Sequence, residues 1–172
     1  TLEVQKRGLL EKHDWRKFGA QERDIFWDGE AVANNNYVFV PIFAKSKLTK
    51  DQVPRQWDGL LDPQWTDKLV SETFLLPRLG GYLAIDWGLD RTEKWLKTLI
   101  DQRKLLIATS PVSNFLKTGE RQLAVAESVS GAFLMNRDGL NVGYQIMEMT
   151  PATQFVVGAI KQAPHPNAAR LL

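Results

Sequence analysis

Short apolar runs bounded by proline, glycine and polar residues predict the strands of this chain. Tyr37–Val40 is rich in β-formers and is predicted to end at Pro41. Leu105–Ile107 and Leu123–Ala126 have the length and composition of short buried strands. Shorter or less regular runs predict three more strands, at Leu69-Val70, Val142–Met147 and Phe155–Ile160.

Helix signals alternate with these strands. Tyr82–Trp87 is predicted to form a helix that ends at Gly88. Asp90 is followed three residues later by Glu93, which is a typical helix start. The next positions carry the apolar face of that helix, at Trp95, Leu96, Leu99 and Ile100.

Ser110-Pro111 opens another predicted helix, with serine as the cap, proline in the first position and Gly119 at the end. Its apolar stripe is predicted at Val112, Phe115 and Leu116.

The connecting segments are polar and rich in turn residues. Asn34–Asn36 is predicted to be a loop or a kinked crossing, Thr49–Gln52 a small capping box, and Pro54–Trp65 a compact turn. Strands and helices alternate without a repeat of fixed period. The pattern therefore predicts an α/β fold with one main domain, a mixed sheet flanked by helices.

Composition excludes several functional classes. The chain has 172 residues, of which 44% are hydrophobic, and no window approaches the length of a membrane span. It has no cysteine, so disulfides, thiol catalysis and Cys-ligated metals are excluded. Its net charge is +2 with interspersed signs, which gives no basic face for nucleic acid.

No motif indicates an enzyme. The chain lacks a Gly-x-Ser-x-Gly elbow, a phosphate loop, a His-Glu-x-x-His pair and a dinucleotide fingerprint. Its two histidines, His13 and His165, are far apart in sequence, which argues against a histidine metal site. The prediction is a non-enzyme without a cofactor or bound metal.

The last residues suggest a longer protein. Pro164-His165-Pro166 predicts a helix that starts at Pro166 and has only about one turn before Leu172. A helix that short is not stable alone, because nucleation is costly. We expect the chain to be a piece of a longer protein.

Three segments in order carry a resemblance to a known family. They are Pro54-x-x-Trp57-Asp58-Gly59-Leu60-Leu61-Asp62-Pro63-Gln64-Trp65, the Trp95 helix with the strand and the Ser110 to Gly119-Glu120 helix that follow it, and Ala163-Pro164-His165-Pro166-Asn167-Ala168-Ala169. Together they resemble the type 2 extracellular solute-binding proteins of ABC importers, the group with ferric-iron, polyamine, thiamine and phosphonate binders.

The resemblance implies a fold and a function. The fold is two α/β lobes that hold a ligand between them, and this chain is similar to the central lobe. Residues 1–30 would end the opening segment of lobe one, 31–149 would form lobe two with the crossing strands, and 150–172 would return toward lobe one. The implied function is capture of a small solute by hinge closure. The ligand would be Fe(III) or a small organic or anionic solute.

The implied partners are the ligand, an ABC permease in the membrane and the missing lobe of the same protein, with no nucleic acid. The implied location is periplasmic or extracellular, with a lipoprotein anchor as one arrangement. Two alternatives stay open, a ligand-sensing module of a membrane receptor and an enzyme on the same fold.

The resemblance and the local chemistry together select candidate ligand-binding residues. Ser110, with its neighbour Thr109, lies at a helix start where free N–H groups favour an anion or a carbonyl oxygen. The alternative is that Ser110 only caps its helix. Glu127, Ser128 and Ser130 follow a buried strand and are candidates for a polar or cationic ligand, with a plain loop as the alternative.

Three further candidates lie elsewhere. Arg78 can clamp a carboxylate or phosphate, or be a solvated surface residue. Asn36 and Tyr37 lie at the proposed hinge, where an ordinary strand start is the alternative. Iron binders of the family often carry adjacent tyrosines near the position of Val129, and this chain has no Tyr-Tyr pair, which puts phenolate ligation of iron in doubt.

Overall fold

The computed structural model describes residues 2–165 and 167–168. Pro166, where a helix was predicted to start, lies outside the described residues. The chain divides into two compact units, one of residues 1–37 with 153–172 and the other of residues 38–152. The strands β3 to β6 and the helices α2 to α5 all lie in the second unit.

The described part of the chain forms a mixed sheet, and its prediction as α/β is confirmed. The path through the sheet is β1-β2-β5-β3-β4, and β6 and β7 both pair with β2. The strands are β1 Ile25–Phe26, β2 Ala31–Ala44, β3 Leu69–Glu72, β4 Leu106–Ala108, β5 Leu123–Ser128, β6 Val142–Tyr144 and β7 Ala152–Val157.

Five α-helices are described, and short 3-10 helices fill many of the connections. The 3-10 helix Lys50–Gln52 carries the predicted capping box, with Thr49 as its cap. The α-helices are α1 Leu2–Lys6, α2 Leu75–Trp87, α3 Leu89–Lys97, α4 Val112–Thr118 and α5 Val129–Arg137.

Strands β3, β4 and β5 are parallel. Val70 pairs with Leu106 of β4 and with Ala124 of β5, while β2 and β6 run antiparallel to their neighbours. Parallel strands need a crossover, and the helices between them supply it. All three strands therefore end at one edge of the sheet, which we call the carboxyl edge.

Apolar side chains from the sheet and two helices form a core on one sheet face. Small residues such as Ala108 and Ala132 let the helices pack closely. The cluster contains Val40, Ile42, Ala44, Val70, Ala108 and Ala124 with Val142 from the strands, and Val112, Leu116 and Ala132 from α4 and α5.

The turn-rich segment Pro54–Trp65 is built around buried tryptophans. The indole N–H of Trp57 donates to the Met149 carbonyl at 2.7 Å, and that of Trp95 donates to the Trp57 carbonyl at 3.0 Å. The rings of Trp57 and Trp95 meet edge to face with centroids 6.2 Å apart. The segment thus ties α3 to the residues that precede β7.

The first unit has its own pairing. Leu10 forms an antiparallel bridge with Ile160, and the N–H of Glu11 donates to the Ala159 carbonyl at 2.8 Å. The buried Trp15 donates its indole N–H to the Gly29 carbonyl at 2.8 Å. These contacts join the beginning and the end of the described chain.

The predicted stop of the strand at Pro41 is wrong. Strand β2 continues through Pro41 to Ala44, with an irregular register between Val40 and Ile42. Proline has no N–H to donate, and a local irregularity is where a sheet accepts it. The predicted loop Asn34–Asn36 also belongs to this strand, where its side chains are exposed.

The predicted start of the second helix is wrong as well. Helix α2 begins at Leu75, before Pro77 and Gly80, rather than at Tyr82. Pro77 is tolerated in the first turn, where no intrahelical N–H bond is required. A Cβ added to Gly80 would lie 3.0 Å from Leu96 Cδ1, so the glycine lets α3 pack closely.

Several element ends also differ from their predictions. Helix α3 begins at Leu89 after Gly88, so Asp90 lies in the first turn rather than at the cap. Of its predicted apolar face, Ile100 is 42% exposed and lies in a π-helical turn. Strand β6 ends at Tyr144 rather than Met147, and β7 covers Ala152–Val157.

The contact between β6 and β2 generates a stability prediction. A Cβ at Gly143 would lie 2.5 Å from Phe43 Cζ, whereas a Cβ at Gly81 in α2 meets nothing within 4 Å. We expect Gly143→Ala to lower the free energy of unfolding by about 1–3 kcal/mol, because the ring of Phe43 has to move. Gly81→Ala is the control and should raise it by up to about 1 kcal/mol. Urea unfolding of both variants measures this, and equal effects would contradict the packing described.

Candidate functional site

The carboxyl edge collects polar residues from three strands. Glu72 ends β3, Ala108 ends β4 and Ser128 ends β5. The N–H of Thr73 donates to the Ala108 carbonyl at 3.1 Å, so β3 and β4 stay paired up to this edge. In open α/β sheets, ligands bind at the carboxyl ends of strands. The edge residues with polar side chains are Glu72, Thr73, Thr109, Ser110, Glu127, Ser128 and Ser130.

The strand register places Glu72 and Glu127 on the same face of the sheet. Glu127 pairs directly with Val40 of β2, so their side chains share a face. Glu72 lies two residues beyond Val70 and therefore points to the same side as Val70. Val40 and Val70 belong to one core cluster. The two carboxyl groups thus lie on the same side of the sheet, at the edge of that core.

Glu127 is the most perturbed ionisable group at the edge. It is only 6% exposed, and no described basic side chain forms an ion pair with it. Burial, followed by the nearby Glu72 carboxylate, raises the pKa of Glu127 to about 7, against the backbone N–H of Ser128, which lowers it. The carboxyl group therefore changes its charge near neutral pH.

Ser128 organises the start of α5. Its Oγ accepts a hydrogen bond from the N–H of Gly131 at 2.9 Å and lies 3.0 Å from Ser130 Oγ. A Cβ at Gly131 would lie 3.0 Å from Glu127 Oε2, so the glycine leaves room for the carboxylate. Ser128 is a buried helix cap, and Ser130 is exposed at the same helix start. The segment is a strand end and a helix start rather than a loop.

The predicted capping role of Ser110 is wrong. Pro111 is the cap residue of α4, and no side chain makes a capping hydrogen bond there. Ser110 and Thr109 are both exposed directly after β4. Their hydroxyl groups are therefore accessible at the carboxyl edge. The predicted end of this helix at Gly119 is confirmed, because Gly119 has a φ of 74°.

Arg78 is exposed on α2, with its guanidinium 5.9 Å from the ring centroid of Phe74. This arrangement is a cation–π contact at the surface. Its role in ligand binding remains a prediction.

Asn36 and Tyr37 belong to the other unit. Asn36 is exposed on β2, and the ring of Tyr37 meets the ring of Phe155 with centroids 6.5 Å apart. Their contact with a ligand remains a prediction.

Sequence reasoning missed Glu72. The residue lies at the end of Leu69-Val70-Ser71-Glu72, a buried strand whose last position is half-buried. An acidic residue directly after the predicted strand at Leu69-Val70 was the available signal. The neighbouring Ser71 is fully buried, and its hydroxyl has no hydrogen-bond partner within the described part of the chain.

Residues 2–165 and 167–168 contain no cluster of three or more His, Asp or Glu side chains arranged to hold a metal ion. Within the same residues, no helix combines the length and apolar character needed to cross a membrane.

The buried carboxyl group generates a pH prediction. The folded chain holds a proton on Glu127 up to about pH 7, whereas a glutamate ordinarily titrates near 4.5. The folded state therefore binds more protons between these values, and the free energy of unfolding falls as the pH rises from 4.5 to 7. Glu127→Gln should remove this fall, by up to about 3 kcal/mol. Urea unfolding at several pH values measures it, with the exposed Glu120→Gln as control. An unchanged pH profile in Glu127→Gln would contradict the assignment.

The helix cap generates a second prediction. Ser128→Ala should lower the free energy of unfolding by about 0.5–2 kcal/mol, because the N–H of Gly131 loses its acceptor. Ser110→Ala is the matched control and should change it by less than about 0.5 kcal/mol, because Ser110 caps nothing. Thermal and urea unfolding compare the two, and a larger loss in Ser110→Ala would contradict the cap assignment.

Comparison with solved structures finds the same fold in bacterial binding proteins. Iron-bound HitA from Pseudomonas aeruginosa matches with a TM-score of 0.74 at 18% identity, and AfuA from Actinobacillus pleuropneumoniae, with fructose-6-phosphate bound, matches at 0.73 and 17%. The spermidine/putrescine ABC transporter substrate-binding protein PotD from Streptococcus pneumoniae matches at 0.71 and 15%. Each match covers 98% of this chain and 57–58% of the other protein.

No protein-family model and no curated protein matches the sequence. At identities this low the structural matches establish the fold. The predicted resemblance is confirmed at that level, since AfuA is a periplasmic binding protein and PotD is a substrate-binding protein of an ABC transporter. The chain has the fold of type 2 periplasmic binding proteins and spans a little over half of their length.

Proposed function

We propose that this chain is the ligand-binding part of an ABC importer's substrate-binding protein. The observation that carries the proposal is the carboxyl edge, where carboxyl and hydroxyl groups lie at or directly after the ends of three parallel strands. This edge is where α/β sheets of this kind receive ligands. The ligands of the structural neighbours differ, from iron to a sugar phosphate and polyamines, so the fold alone does not select one.

The proposed division into lobes follows the predicted boundaries. Residues 31–149 form the central lobe, 1–30 end the opening segment of the other lobe, and 150–172 return toward it. Support comes from the two compact units, between which the chain passes inside β2 and next to the start of β7. Closure about such connecting strands is a known mode of ligand capture.

The candidate residues have distinct proposed roles. Thr109, Ser110 and Ser130 offer exposed hydroxyl groups to the ligand, and Glu127 offers a carboxyl group. Ser128 positions the start of α5 through its cap, while Arg78, Asn36 and Tyr37 act from the rim or from the connecting strand.

The partner is a membrane permease, and the location is periplasmic or extracellular. A ligand shifts the equilibrium between the open and closed states of a two-lobed receptor only as far as it binds the closed state more tightly than the open one. The permease then recognises that closed state. Because the structural neighbours are transport proteins, we propose that the chain has no catalytic activity.

Ligand screening tests this function. The protein, purified at its full natural length, is screened by thermal shift and calorimetry against Fe(III), polyamines, thiamine, phosphonates and sugars. One class should raise the melting temperature and bind, because ligand stabilises the folded and closed form. Failure of every class to bind to a folded protein would contradict the proposal.

Two variants then locate the site. Ser110→Ala and Thr109→Ala should each lower the affinity for the identified ligand about threefold to tenfold, because a hydrogen bond to the ligand is lost. Neither variant should lose stability. Ser46→Ala, at an exposed position directly after β2, is the matched control and should bind normally. Unchanged affinity in both edge variants would place the ligand elsewhere.

A further inference from the structure

The edge contains a buried carboxyl group without a counter-charge. Only 6% of the surface of Glu127 is exposed. Its described partner is one backbone N–H, that of Ser128. A buried carboxylate is normally paired or neutralised, because its desolvation is costly. None of the described ion pairs involves Glu127.

The surroundings of Glu127 supply no cation. Val40 pairs with it from β2, Ser130 and Gly131 lie at the start of α5, and the first turn of α4 carries no charged side chain. From β3 the facing charge is Glu72, which has the same sign. The basic residue of α2 nearest the edge in sequence, Arg78, stacks on Phe74. Among the described residues, Glu127 therefore faces one charge, and that charge repels it.

Two carboxyl groups on one face prefer a positive charge between them. Each like charge raises the free energy of the other in a partly desolvated site, and a cation relieves both. An anionic ligand would add a third negative charge. A neutral ligand would not itself relieve the repulsion, which is then lowered only by protonation of Glu127.

We propose that the ligand carries a positively charged group that binds between Glu72 and Glu127 at the carboxyl edge. This inference rests on the proposed function and adds to it the charge of the ligand. The cation is an ammonium group of an organic solute or a metal ion, and the hydroxyl groups of Thr109, Ser110 and Ser130 contact the remainder of an organic ligand.

Binding of a cation has a measurable consequence for protons. Near pH 7 the empty site holds about half a proton on Glu127, as expected for a group at its pKa, and the cation displaces it. Affinity should therefore rise by about fourfold between pH 6.5 and pH 8. Glu72 is the titratable group that faces Glu127 from the elements packed on this face, within the described residues.

The experiment uses probes of each charge on the protein at its full natural length. The cations are 1,4-diaminobutane, choline and Ca²⁺, the anions are inorganic phosphate and succinate, and the neutral probe is glucose. Calorimetry at pH 7 in two buffers of different ionisation enthalpy gives the affinity and the number of protons released. If the organic cations bind and Ca²⁺ does not, the charge is that of an ammonium group. If Ca²⁺ binds and the organic cations do not, the charge is that of a metal ion.

The variants Glu127→Gln and Glu72→Gln keep the shape of the site and remove one charge each. We expect each variant to lower the affinity for the cation at least tenfold. We also expect Glu127→Gln to abolish the release of about half a proton on binding. Glu120→Gln, an exposed position on the turn after α4, is the matched control and should bind normally. If Glu127 is protonated and has only a structural role, Glu127→Gln will bind the cation normally. That result would overturn the inference.

The remaining outcomes separate the two proposals. If phosphate, succinate or glucose binds and the two glutamine variants bind it normally, the charge inference is wrong and the solute-binding function stands. If no probe and no compound of the wider screen binds, both are wrong. Unfolding curves confirm that each variant is folded.

Discussion

Parallel pairing of β3 with β4 and β5 is the constraint on which the site depends. A parallel strand has to be reached through a crossover, so each of these strands ends at the same edge and is followed there by a helix or its approach. That geometry brings Glu72, Thr109 and Glu127 to one edge of the sheet, although they are far apart in sequence. Together with the irregular register between Val40 and Ile42, it also fixes which side chains face the core.

The core and the ionisable group are consequences of the same pairing. Val70 and Glu72 share a face of β3, so the strand that supplies a core residue also supplies a carboxyl group at the edge of that core. Glu127 is held in the same way by its pairing with Val40. Its raised pKa measures the cost of that position. A site that strains a charge in this way is a common feature of functional surfaces.

Tryptophan contacts support this arrangement from outside the site. Trp57 and Trp95 combine large buried rings with indole N–H groups that bind carbonyl oxygens, so the irregular segment between β2 and β3 needs no regular hydrogen-bond ladder. The segment consists mainly of 3-10 turns, and these contacts fasten it to α3 and to the residues before β7.

The sequence alone determined the fold class and the approximate strands, because hydrophobic period and turn residues act locally. The candidates at Ser110 and Glu127 came from local chemistry together with the family resemblance. It did not determine that β2 crosses Pro41 or that α2 begins before Pro77, because pairing and packing partners override local propensity. Glu72 was missed for the same reason. Only the tertiary structure decides that its side chain faces Glu127, since strand register is a relation between distant segments.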